Sequence, residues 1–263
     1  SGIATKAARF KKLAGDIPII SFGARRMHPV LAPMIERNAY IGGCDGVAVV
    51  KSGEIIGEDP IGTMPHALII CIGSTVEAIK AYDDVLEPKF KRVALIDTFL
   101  DEKFECINVA EAMGERLFAV RFDTPGSRRG NFYRILEECR WELDIRGYRH
   151  VKFYVSGGIK EEDIPILNPI VDGYGIGTSI SNAPVIDFAM DITELQQRPL
   201  SKRGKWSGSK RLLKCTSCNK RKIVPNNEQV LKAFLPDLNC ECGGSFEDLL
   251  IPVMDNGKYL IDM

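Results

Sequence analysis

The chain lacks three features that would place it in a large functional class: a net charge, a membrane-length apolar run and a secretory leader. Its 263 residues carry 35 lysines and arginines against 35 aspartates and glutamates, so no global basic field indicates nucleic-acid binding. No apolar run approaches the roughly 20 residues of a membrane span. Residues 1–10 lack the apolar core of a signal peptide and begin like a helix already under way, without an initiator methionine. We therefore expect a cytoplasmic protein with no membrane partner, and a further segment ahead of residue 1.

Histidine is scarce in the chain, and cysteine is unevenly distributed. Only three histidines occur. The eight cysteines form two groups of four, of which the first is scattered singly among apolar residues: Cys44, Cys71, Cys106 and Cys139. Isolated cysteines of this kind are typical of buried thiols in a reducing compartment.

The second group of cysteines has the spacing of a metal site. Two residues separate Cys215 from Cys218, and one residue separates Cys240 from Cys242, which two glycines follow. Two close pairs of thiolates suit a tetrahedral structural Zn²⁺, although the second pair is one residue tighter than the usual knuckle. The pattern predicts a small zinc-ribbon-like domain to which the metal contributes stability.

Short apolar runs alternate with amphipathic stretches between residues 18 and 192, which is the pattern of βα units around a parallel sheet. Helices are predicted at 75–85, with Ser74 as N-cap, and at 131–146. The run at 185–192 either closes or flanks the sheet. The six other predicted strands are 17–22, 46–50, 93–96, 117–122, 151–155 and 171–176. We therefore expect an α/β fold, an irregular and incomplete barrel of six or seven parallel strands.

The composition changes near Pro199. Residues 201–211 are basic, rich in glycine and serine and without periodicity, as in a linker. We interpret this stretch as a solvated loop rather than a nucleic-acid contact, because Trp206 is its only aromatic residue. The predicted domains are a barrel over 1–200 and a linker with a zinc-ribbon-like domain over 201–263.

Two glycine-rich turns close consecutive predicted strands. The first is Ser156-Gly157-Gly158, and the second lies within Gly173-Tyr174-Gly175-Ile176-Gly177-Thr178. Glycines at a strand end let backbone N–H groups approach an anion without a Cβ in the way. Late strands of (β/α) barrels hold a phosphate with such turns. The alternative is two ordinary tight turns.

Charged residues lie at matching positions on the earlier strands. Arg25, Asp97, Arg121 and Asp123 each fall at or just beyond the end of a predicted strand. Carboxyl ends of barrel strands converge on one mouth, where arginine suits an anion and carboxylates hold Mg²⁺ or sugar hydroxyls. Each residue alone reads as a solvated loop residue, but the set predicts a site.

Asp45 and His66 are less clearly placed by the sequence. Asp45 lies just before its strand, so barrel geometry alone does not bring it to the mouth. His66 follows the Gly62-Thr63 turn on an apolar helix, where a packed core histidine is the usual alternative to a role at a polar mouth. The residues leave both assignments open.

The order of motifs resembles the nicotinate phosphoribosyltransferase family, of the type II phosphoribosyltransferase class, in its archaeal-like form. The resemblance covers roughly residues 1–200, and eight motifs in one order make it specific. These are Ser1-Gly2-Ile3-Ala4-Thr5, Phe22-Gly23-Ala24-Arg25-Arg26, Gly43-Cys44-Asp45-Gly46, Gly62-Thr63-Met64-Pro65-His66, Asp97-Thr98, Arg121-Phe122-Asp123, Ser156-Gly157-Gly158 and Gly173-Tyr174-Gly175-Ile176-Gly177-Thr178.

This resemblance implies an irregular α/β barrel that joins nicotinate to 5-phosphoribosyl 1-pyrophosphate. The products would be nicotinate mononucleotide and pyrophosphate, in NAD salvage. The 5′-phosphate would be cradled by the two glycine turns, at Ser156, Gly157, Gly158, Gly175, Gly177 and Thr178.

The charged residues take their roles from the same resemblance. Asp97 and Asp123 would engage the ribose hydroxyls directly or through Mg²⁺. Arg25 and Arg121 would line the base and its carboxylate. The motif match is the reason for adding Asp45 to this site.

The resemblance also implies partners and a possible cofactor. His66 matches the histidine that many family members phosphorylate with ATP, so ATP is a possible cofactor that would be coupled to the reaction. The chemistry of the reaction adds that the leaving pyrophosphate needs cations, which Mg²⁺ with Arg25, Arg26 or Lys51 would supply. Family members carry an α/β segment ahead of the first helix that often covers the active site across a dimer. A homo-oligomer is therefore expected, with that N-terminal part missing from this chain or supplied separately.

Two alternatives remain at this stage. Quinolinate phosphoribosyltransferase, which decarboxylates its base, would use the Arg25-Arg26 pair for a second carboxylate, although the motif ending at His66 argues against it. A non-catalytic barrel with a nucleic-acid-binding zinc ribbon is the other alternative, which the neutral net charge disfavours.

Overall fold

The computed structural model describes residues 1–227 and 239–261. The chain divides into two compact units, Ser1–Ile186 and Asp187–Met263. Within the described part, none of the helices is both long enough and apolar enough to cross a bilayer.

Six parallel strands form the sheet of the first unit. They are β1 (Ile19–Ser21), β2 (Gly46–Val47), β3 (Arg92–Leu95), β4 (Leu117–Phe122), β5 (Lys152–Val155) and β6 (Gly173–Ile176). Their order is β2-β1-β6-β5-β4-β3, and the sheet curls into a half-barrel with β2 and β3 at its edges. The expected incomplete α/β barrel of parallel strands is confirmed.

Ten α-helices connect and cover these strands in the described part of the chain. They are α1 (Gly2–Ala14), α2 (Ala32–Ile41), α3 (Val50–Ile56), α4 (His66–Ile72), α5 (Thr75–Val85), α6 (Glu102–Met113), α7 (Gly126–Arg129), α8 (Phe132–Ile145), α9 (Ile164–Leu167) and α10 (Thr178–Ser181). Single 3₁₀ turns occur at Ala24–Arg26, Pro29–Leu31, Gly114–Arg116 and Glu161–Asp163.

Local sequence explains where the two predicted helices begin. Ser74 Oγ accepts a hydrogen bond from the Glu77 N–H, an N-cap that satisfies one free donor of α5. Asn131 Oδ1 accepts in the same way from the Arg134 N–H at the start of α8. The residues Phe132, Leu136, Cys139 and Leu143 form the buried stripe of α8. Both helices are confirmed at their predicted positions.

The strand predicted at 185–192 is wrong. Residues 183–193 form neither helix nor strand, and Val185, Phe188 and Met190 are 85%, 81% and 99% exposed. Apolar character predicted a strand here, but a strand also requires a paired backbone. The edges of the sheet are β2 and β3, and neither pairs with this segment.

Glycines in β6 make room for two aromatic rings. A Cβ on Gly173 would lie 2.2 Å from Cε1 of Tyr154, and a Cβ on Gly175 would lie 2.3 Å from Cε2 of Phe22. The rings therefore lie directly against the β6 backbone. This packing holds Phe22 at the carboxyl end of the sheet.

The second unit consists of short antiparallel strands. A three-stranded sheet has the order β10 (Arg221–Pro225), β9 (Lys210–Cys215) and β11 (Phe246–Asp248). Two small hairpins join β7 (Glu194–Leu195) to β8 (Arg198–Pro199), and β12 (Met254–Asp255) to β13 (Lys258–Tyr259).

Candidate active site

A cavity of about 800 Å³ opens at the carboxyl ends of the parallel strands. Parallel strands direct their carboxyl ends to one edge, which is where α/β sheets bind ligands. The cavity is lined by residues that follow the strands, including Arg25, His66, Arg121, Asp123, Ser156, Gly157, Gly158, Gly175, Gly177 and Thr178. The structure thus brings the two glycine turns and most of the predicted charged residues to one place.

Two carboxylates and His66 form the polar centre of this cavity. The His66 Nε2 lies 3.5 Å from Asp123 Oδ2 and 3.7 Å from Asp97 Oδ1. Its Nδ1 is 3.0 Å from Thr98 Oγ1. His66 begins α4 while Asp97 and Thr98 follow β3, so the histidine contacts the mouth rather than the core. Of the two positions that the sequence left open for His66, core or polar mouth, its side chain lies at the polar mouth.

Asp97 is buried and incompletely satisfied. Its side chain is 4% exposed, and its Oδ1 has no hydrogen-bond partner among the described residues. Burial raises the pKa of Asp97, His66 and Arg121 lower it and the nearby Asp123 raises it, and together these effects bring it to about 6. A buried carboxylate with a free oxygen beside a second carboxylate is a suitable place for a cation.

Arg121 lies inside the mouth, close to both carboxylates. Its guanidinium carbon is 5.7 Å from the centroid of the Phe22 ring. Burial lowers the pKa of Arg121, while Asp123 and Asp97 raise it and Arg25 lowers it. Its Nε is buried without a hydrogen-bond partner in the described residues. Arg121 therefore keeps a donor available for a ligand.

The first glycine turn is built around Asp123. Ser156 Oγ donates to Asp123 Oδ1 at 2.7 Å, and the Ser156 N–H donates to the Phe122 carbonyl at 2.8 Å. Gly157 and Gly158 have φ of +80° and +75°, a region that glycine adopts without a steric cost. A Cβ on Gly157 would lie 2.8 Å from the Asp123 carbonyl oxygen. Only glycine allows this turn to lie so close to Asp123.

The second glycine turn lies beside the first. Gly175 and Gly177 line the cavity, and Thr178 begins α10 immediately after them. Ser179 Oγ donates to the Ile159 carbonyl at 2.6 Å. This hydrogen bond ties the two turns together at the cavity edge.

Asp45 and Lys51 are not brought to the mouth. Asp45 Oδ2 accepts from the Ile19 N–H at 2.8 Å and from Lys11 Nζ at 2.9 Å, which places it at the amino end of β1. Lys51 pairs with Glu54 on the outside of α3. The motif match had assigned Asp45 to the site, but a residue that precedes a strand lies at the opposite edge of the sheet.

Two residues that hold the loops around the cavity were missed from the sequence. Glu36 is fully buried on α2 and accepts from the N–H groups of Ala48 (3.1 Å) and Val49 (2.9 Å), which follow β2. A carboxylate on the buried stripe of an amphipathic helix was the available signal. Arg129, on α7, donates to carbonyls of both loops that flank Asp123 and Gly157. Its position beside exposed Arg128 gave no signal in the sequence.

The four clustered cysteines come together in the second unit. The sulfur atoms of Cys215, Cys218, Cys240 and Cys242 lie within 4.8 Å of one another. The Cys215–Cys242 and Cys218–Cys240 sulfur distances are 3.5 Å and 3.4 Å. Hydrogen bonds from the backbone of Cys218 and Ser217 and from the thiols of Cys242 and Cys240, against the opposing effect of burial, lower the pKa of Cys215 to about 6. The cluster could bind a metal ion.

Comparisons with known proteins agree on one family. A family model described as the C-terminal domain of quinolinate phosphoribosyl transferase matches residues 3–191. The crystal structure of nicotinate-nucleotide pyrophosphorylase from Pyrococcus furiosus is 49% identical, with a TM-score of 0.86 over 100% of this chain and 66% of that one. Human nicotinic acid phosphoribosyltransferase shares the fold, with a TM-score of 0.64 at 17% identity over 99% of this chain and 64% of that one.

Curated relatives point the same way but are longer than this chain. A nicotinate phosphoribosyltransferase of Mycobacterium tuberculosis is 29% identical over 276 residues, which cover 99% of this chain and 55% of that protein. The nicotinate phosphoribosyltransferase of Bacillus subtilis is 30% identical over 187 residues, covering 69% and 37%. The chain thus spans about half or less of these curated relatives.

Proposed function

This chain belongs to the quinolinate phosphoribosyl transferase family, by its C-terminal domain, and from that membership we propose that it carries the site that joins nicotinate to 5-phosphoribosyl 1-pyrophosphate. The products are nicotinate mononucleotide and pyrophosphate. One observation carries the proposal: two glycine turns, two carboxylates and three arginines surround the same cavity. This set matches a substrate with a phosphate, a diphosphate and ribose hydroxyls.

The 5′-phosphate binds at the glycine turns. Gly157, Gly158, Gly175 and Gly177 line the cavity and leave their backbone open to an anion. Ser156 and Thr178 flank these glycines within the same lining. The phosphate thereby fixes one end of the ribose.

Asp97 and Asp123 face the ribose and diphosphate. Their carboxylates provide oxygen ligands of the kind that Mg²⁺ prefers, and the free buried oxygen of Asp97 fits such a cation. When bound, Mg²⁺ would neutralise charge on the diphosphate leaving group. The carboxylates also accept hydrogen bonds from ribose hydroxyls.

The arginines recognise the carboxylate of the base. Arg25 and Arg26 line the cavity, and their side chains have no hydrogen-bond or ion-pair partner within residues 1–227 and 239–261. Arg121 offers its buried Nε in the same lining, and the Phe22 ring next to it gives a flat apolar surface for a pyridine ring. These groups orient the pyridine nitrogen toward the anomeric carbon.

Catalysis follows from position and charge. The pyridine nitrogen forms a bond to the anomeric carbon as the bond to pyrophosphate breaks, so little proton transfer is needed. Positioning and electrostatic stabilisation then supply most of the acceleration. His66 lies between the two carboxylates, and its role in ATP coupling stays a prediction.

Quinolinate is the second candidate base, because the matching family model carries that name. Its additional carboxylate would need a further cation, and Arg26 adjoins Arg25 at the cavity. Nicotinate, which has one carboxylate, would need fewer of these arginines than quinolinate. The two bases give the same mononucleotide, but only quinolinate releases CO₂.

The test offers nicotinate, nicotinamide and quinolinate separately to the intact protein with phosphoribosyl pyrophosphate and Mg²⁺. Mononucleotide and pyrophosphate in equal amounts from nicotinate alone are the expected result. Release of ¹⁴CO₂ from carboxyl-labelled quinolinate would assign the alternative base. Absence of product from all three bases would contradict the proposed function and favour the alternative of a non-catalytic barrel.

The cysteine cluster of the second unit holds structural Zn²⁺. A tetrahedron with Zn–S bonds of about 2.3 Å separates its sulfurs by about 3.8 Å, and the four sulfurs here all lie within 4.8 Å of one another, two of the pairs at 3.4 and 3.5 Å. Cys215 ends β9, the central strand, and Cys240 and Cys242 precede β11, so the ion would join the end of β9 to the segment before β11. Such a site contributes stability where the core is small.

Removing one cysteine ligand is expected to release the metal. In the Cys215→Ser variant, zinc should fall from about one equivalent per chain toward none, and the second unit should become protease-sensitive. Elemental analysis and limited proteolysis of the intact protein measure both. Cys71→Ser is the matched control, because Cys71 is exposed and lies outside the cluster. Equal zinc in both variants would contradict the assignment.

Oligomeric state and location remain predictions. Cys44, Cys106 and Cys139 are buried free thiols as expected, whereas Cys71 is free but exposed. Free thiols are compatible with the reducing cytoplasm that we propose. The homo-oligomer, like the absence of nucleic-acid binding, rests on the sequence.

A further inference from the structure

Arg129 lies behind the first glycine turn, outside the lining of the cavity. Its Nη2 donates to the carbonyls of Thr124 at 2.9 Å and Ser156 at 3.2 Å, and also to that of Gly157. Its Nε donates to the Thr124 carbonyl at 3.1 Å. One guanidinium therefore joins the loop after β4, which carries Asp123, to the turn after β5.

These contacts determine which way the peptide N–H groups of the turn point. In a trans peptide the C=O and the following N–H point in opposite directions, and no peptide bond in the described chain is cis. The Ser156 carbonyl shares a peptide with the Gly157 N–H, and the Gly157 carbonyl shares one with the Gly158 N–H. Because Arg129 holds both carbonyls on its own side, both N–H groups point away from it.

The two N–H groups are available to a ligand. No carbonyl or side chain in the described residues accepts from the N–H of Gly157 or Gly158. Both glycines line the cavity, and Arg129 does not. Adjacent backbone N–H groups that converge on a concavity form an anion site.

We propose that Arg129 is a positioning residue, which aims the N–H groups of Gly157 and Gly158 into the cavity and so builds the cradle for the 5′-phosphate. This inference rests on the proposed function, because it takes the phosphate of phosphoribosyl pyrophosphate as the ligand. Arg129 acts through the backbone of the turn and does not touch the substrate.

Arginine has the geometry that this task needs. Its planar fork carries several donors in fixed directions, whereas lysine offers a compact charge on a flexible stem. The Arg129 guanidinium lies 4.7 Å from the centroid of the Phe132 ring, which fixes the plane of the fork. Burial lowers the pKa of Arg129, but Asp163 and Asp123 raise it, and the group stays protonated. Its charge also makes the potential behind the turn more positive.

The test compares Arg129→Lys and Arg129→Gln with the control Arg128→Gln in the intact protein. Arg128 is the exposed neighbour on α7, and its substitution by glutamine removes the same charge. For both Arg129 variants the KM for phosphoribosyl pyrophosphate should rise about 10-fold or more, since each factor of ten corresponds to one lost interaction of ordinary strength. The KM for nicotinate should change by less than about twofold, and methylguanidine should restore part of the loss in Arg129→Gln. Arg128→Gln should match the wild type.

The outcomes separate this inference from the proposed function. A wild-type protein that forms no mononucleotide from any base contradicts the proposed function itself. An active wild type with an unchanged KM in Arg129→Lys overturns the positioning role alone, and so does an equal rise in both KM values. If the variants do not fold, the inference can still be tested on the wild type by nuclear magnetic resonance. Phosphoribosyl pyrophosphate should shift the amide proton resonances of Gly157 and Gly158 downfield, and unchanged resonances would overturn the inference.

Discussion

Replacing Asp97 with asparagine is expected to stabilise the folded protein while removing most of its activity. The side chain is 4% exposed, and its Oδ1 lies 3.7 Å from His66 Nε2 and has no hydrogen-bond partner among the described residues. Asparagine keeps the shape but loses the negative charge that a cation or a developing positive charge requires. We expect kcat/KM to fall at least about 100-fold, the scale on which one preorganised stabilising group acts.

The gain in stability depends on pH in a defined direction. Burial, with Asp123, raises the pKa of Asp97 from 3.8 to about 6. A raised carboxyl pKa favours the folded state fully below the unfolded pKa, and this benefit is lost as the pH rises through the folded value. Above pH 6 the wild type therefore carries a buried charge that the variant does not. The variant should be more stable by about 1–3 kcal/mol at pH 8, and the difference should vanish below pH 4.

Urea unfolding with a chelator present, at pH 8 and at the lowest pH where the protein remains folded, measures this difference. Asp84→Asn is the matched control, because Asp84 is exposed on α5 and should change neither stability nor activity. If the wild type and Asp97→Asn unfolded at the same urea concentration at pH 8 as well as at low pH, or if Asp97→Asn were active, the role assigned to this carboxylate would be contradicted.

Replacing Gly157 with alanine is expected to lower kcat/KM for phosphoribosyl pyrophosphate by about 100-fold. The residue has φ of +80°, which costs an L-residue about 1–2 kcal/mol. Its new Cβ would also lie 2.8 Å from the Asp123 carbonyl oxygen and 3.0 Å from Asp123 Oδ1. Relief of this contact moves the glycine turn away from the Asp123 carboxylate. The turn and the carboxylate then no longer hold the 5′-phosphate and the ribose hydroxyls at the correct distance from each other. Small displacements of this kind have large kinetic effects.

Backbone strain alone is controlled by Gly57→Ala. Gly57 has φ of +77°, and a Cβ there would meet nothing within 4 Å. The control should lose stability to a similar degree and keep its kinetic constants. Steady-state kinetics with either substrate varied, together with thermal unfolding, distinguishes the two effects. Equal kinetic losses in both variants would mean that strain, and not the contact with Asp123, is responsible.

The sequence was sufficient for features that depend on neighbouring residues. Alternating apolar runs predicted six parallel strands, and the Ser74 cap predicted the start of α5. Glycines at strand ends predicted two turns at one edge of the sheet. Because the carboxyl ends of parallel strands converge by topology, the clustering of Asp97, Arg121 and Asp123 followed from the same pattern.

Features that depend on distant pairing could not be obtained in this way. The apolar run at 185–192 predicted a strand, yet both sheet edges lie elsewhere. Asp45 was placed at the site by its motif, although its carboxylate caps the amino end of β1. Arg129 joins residues 124 and 157, and no local pattern in the sequence marks a side chain whose partners are backbone carbonyls of another loop.

The most direct test of the central claim is calorimetric titration of the intact protein with phosphoribosyl pyrophosphate and Mg²⁺, without a base present. The claim is that the carboxyl edge of the half-barrel is the phosphoribosyl pyrophosphate site. Saturable binding at one site per chain, weakened in Gly157→Ala but retained in Gly57→Ala, is the predicted result. Absence of binding, or binding of equal strength in both variants, would contradict it.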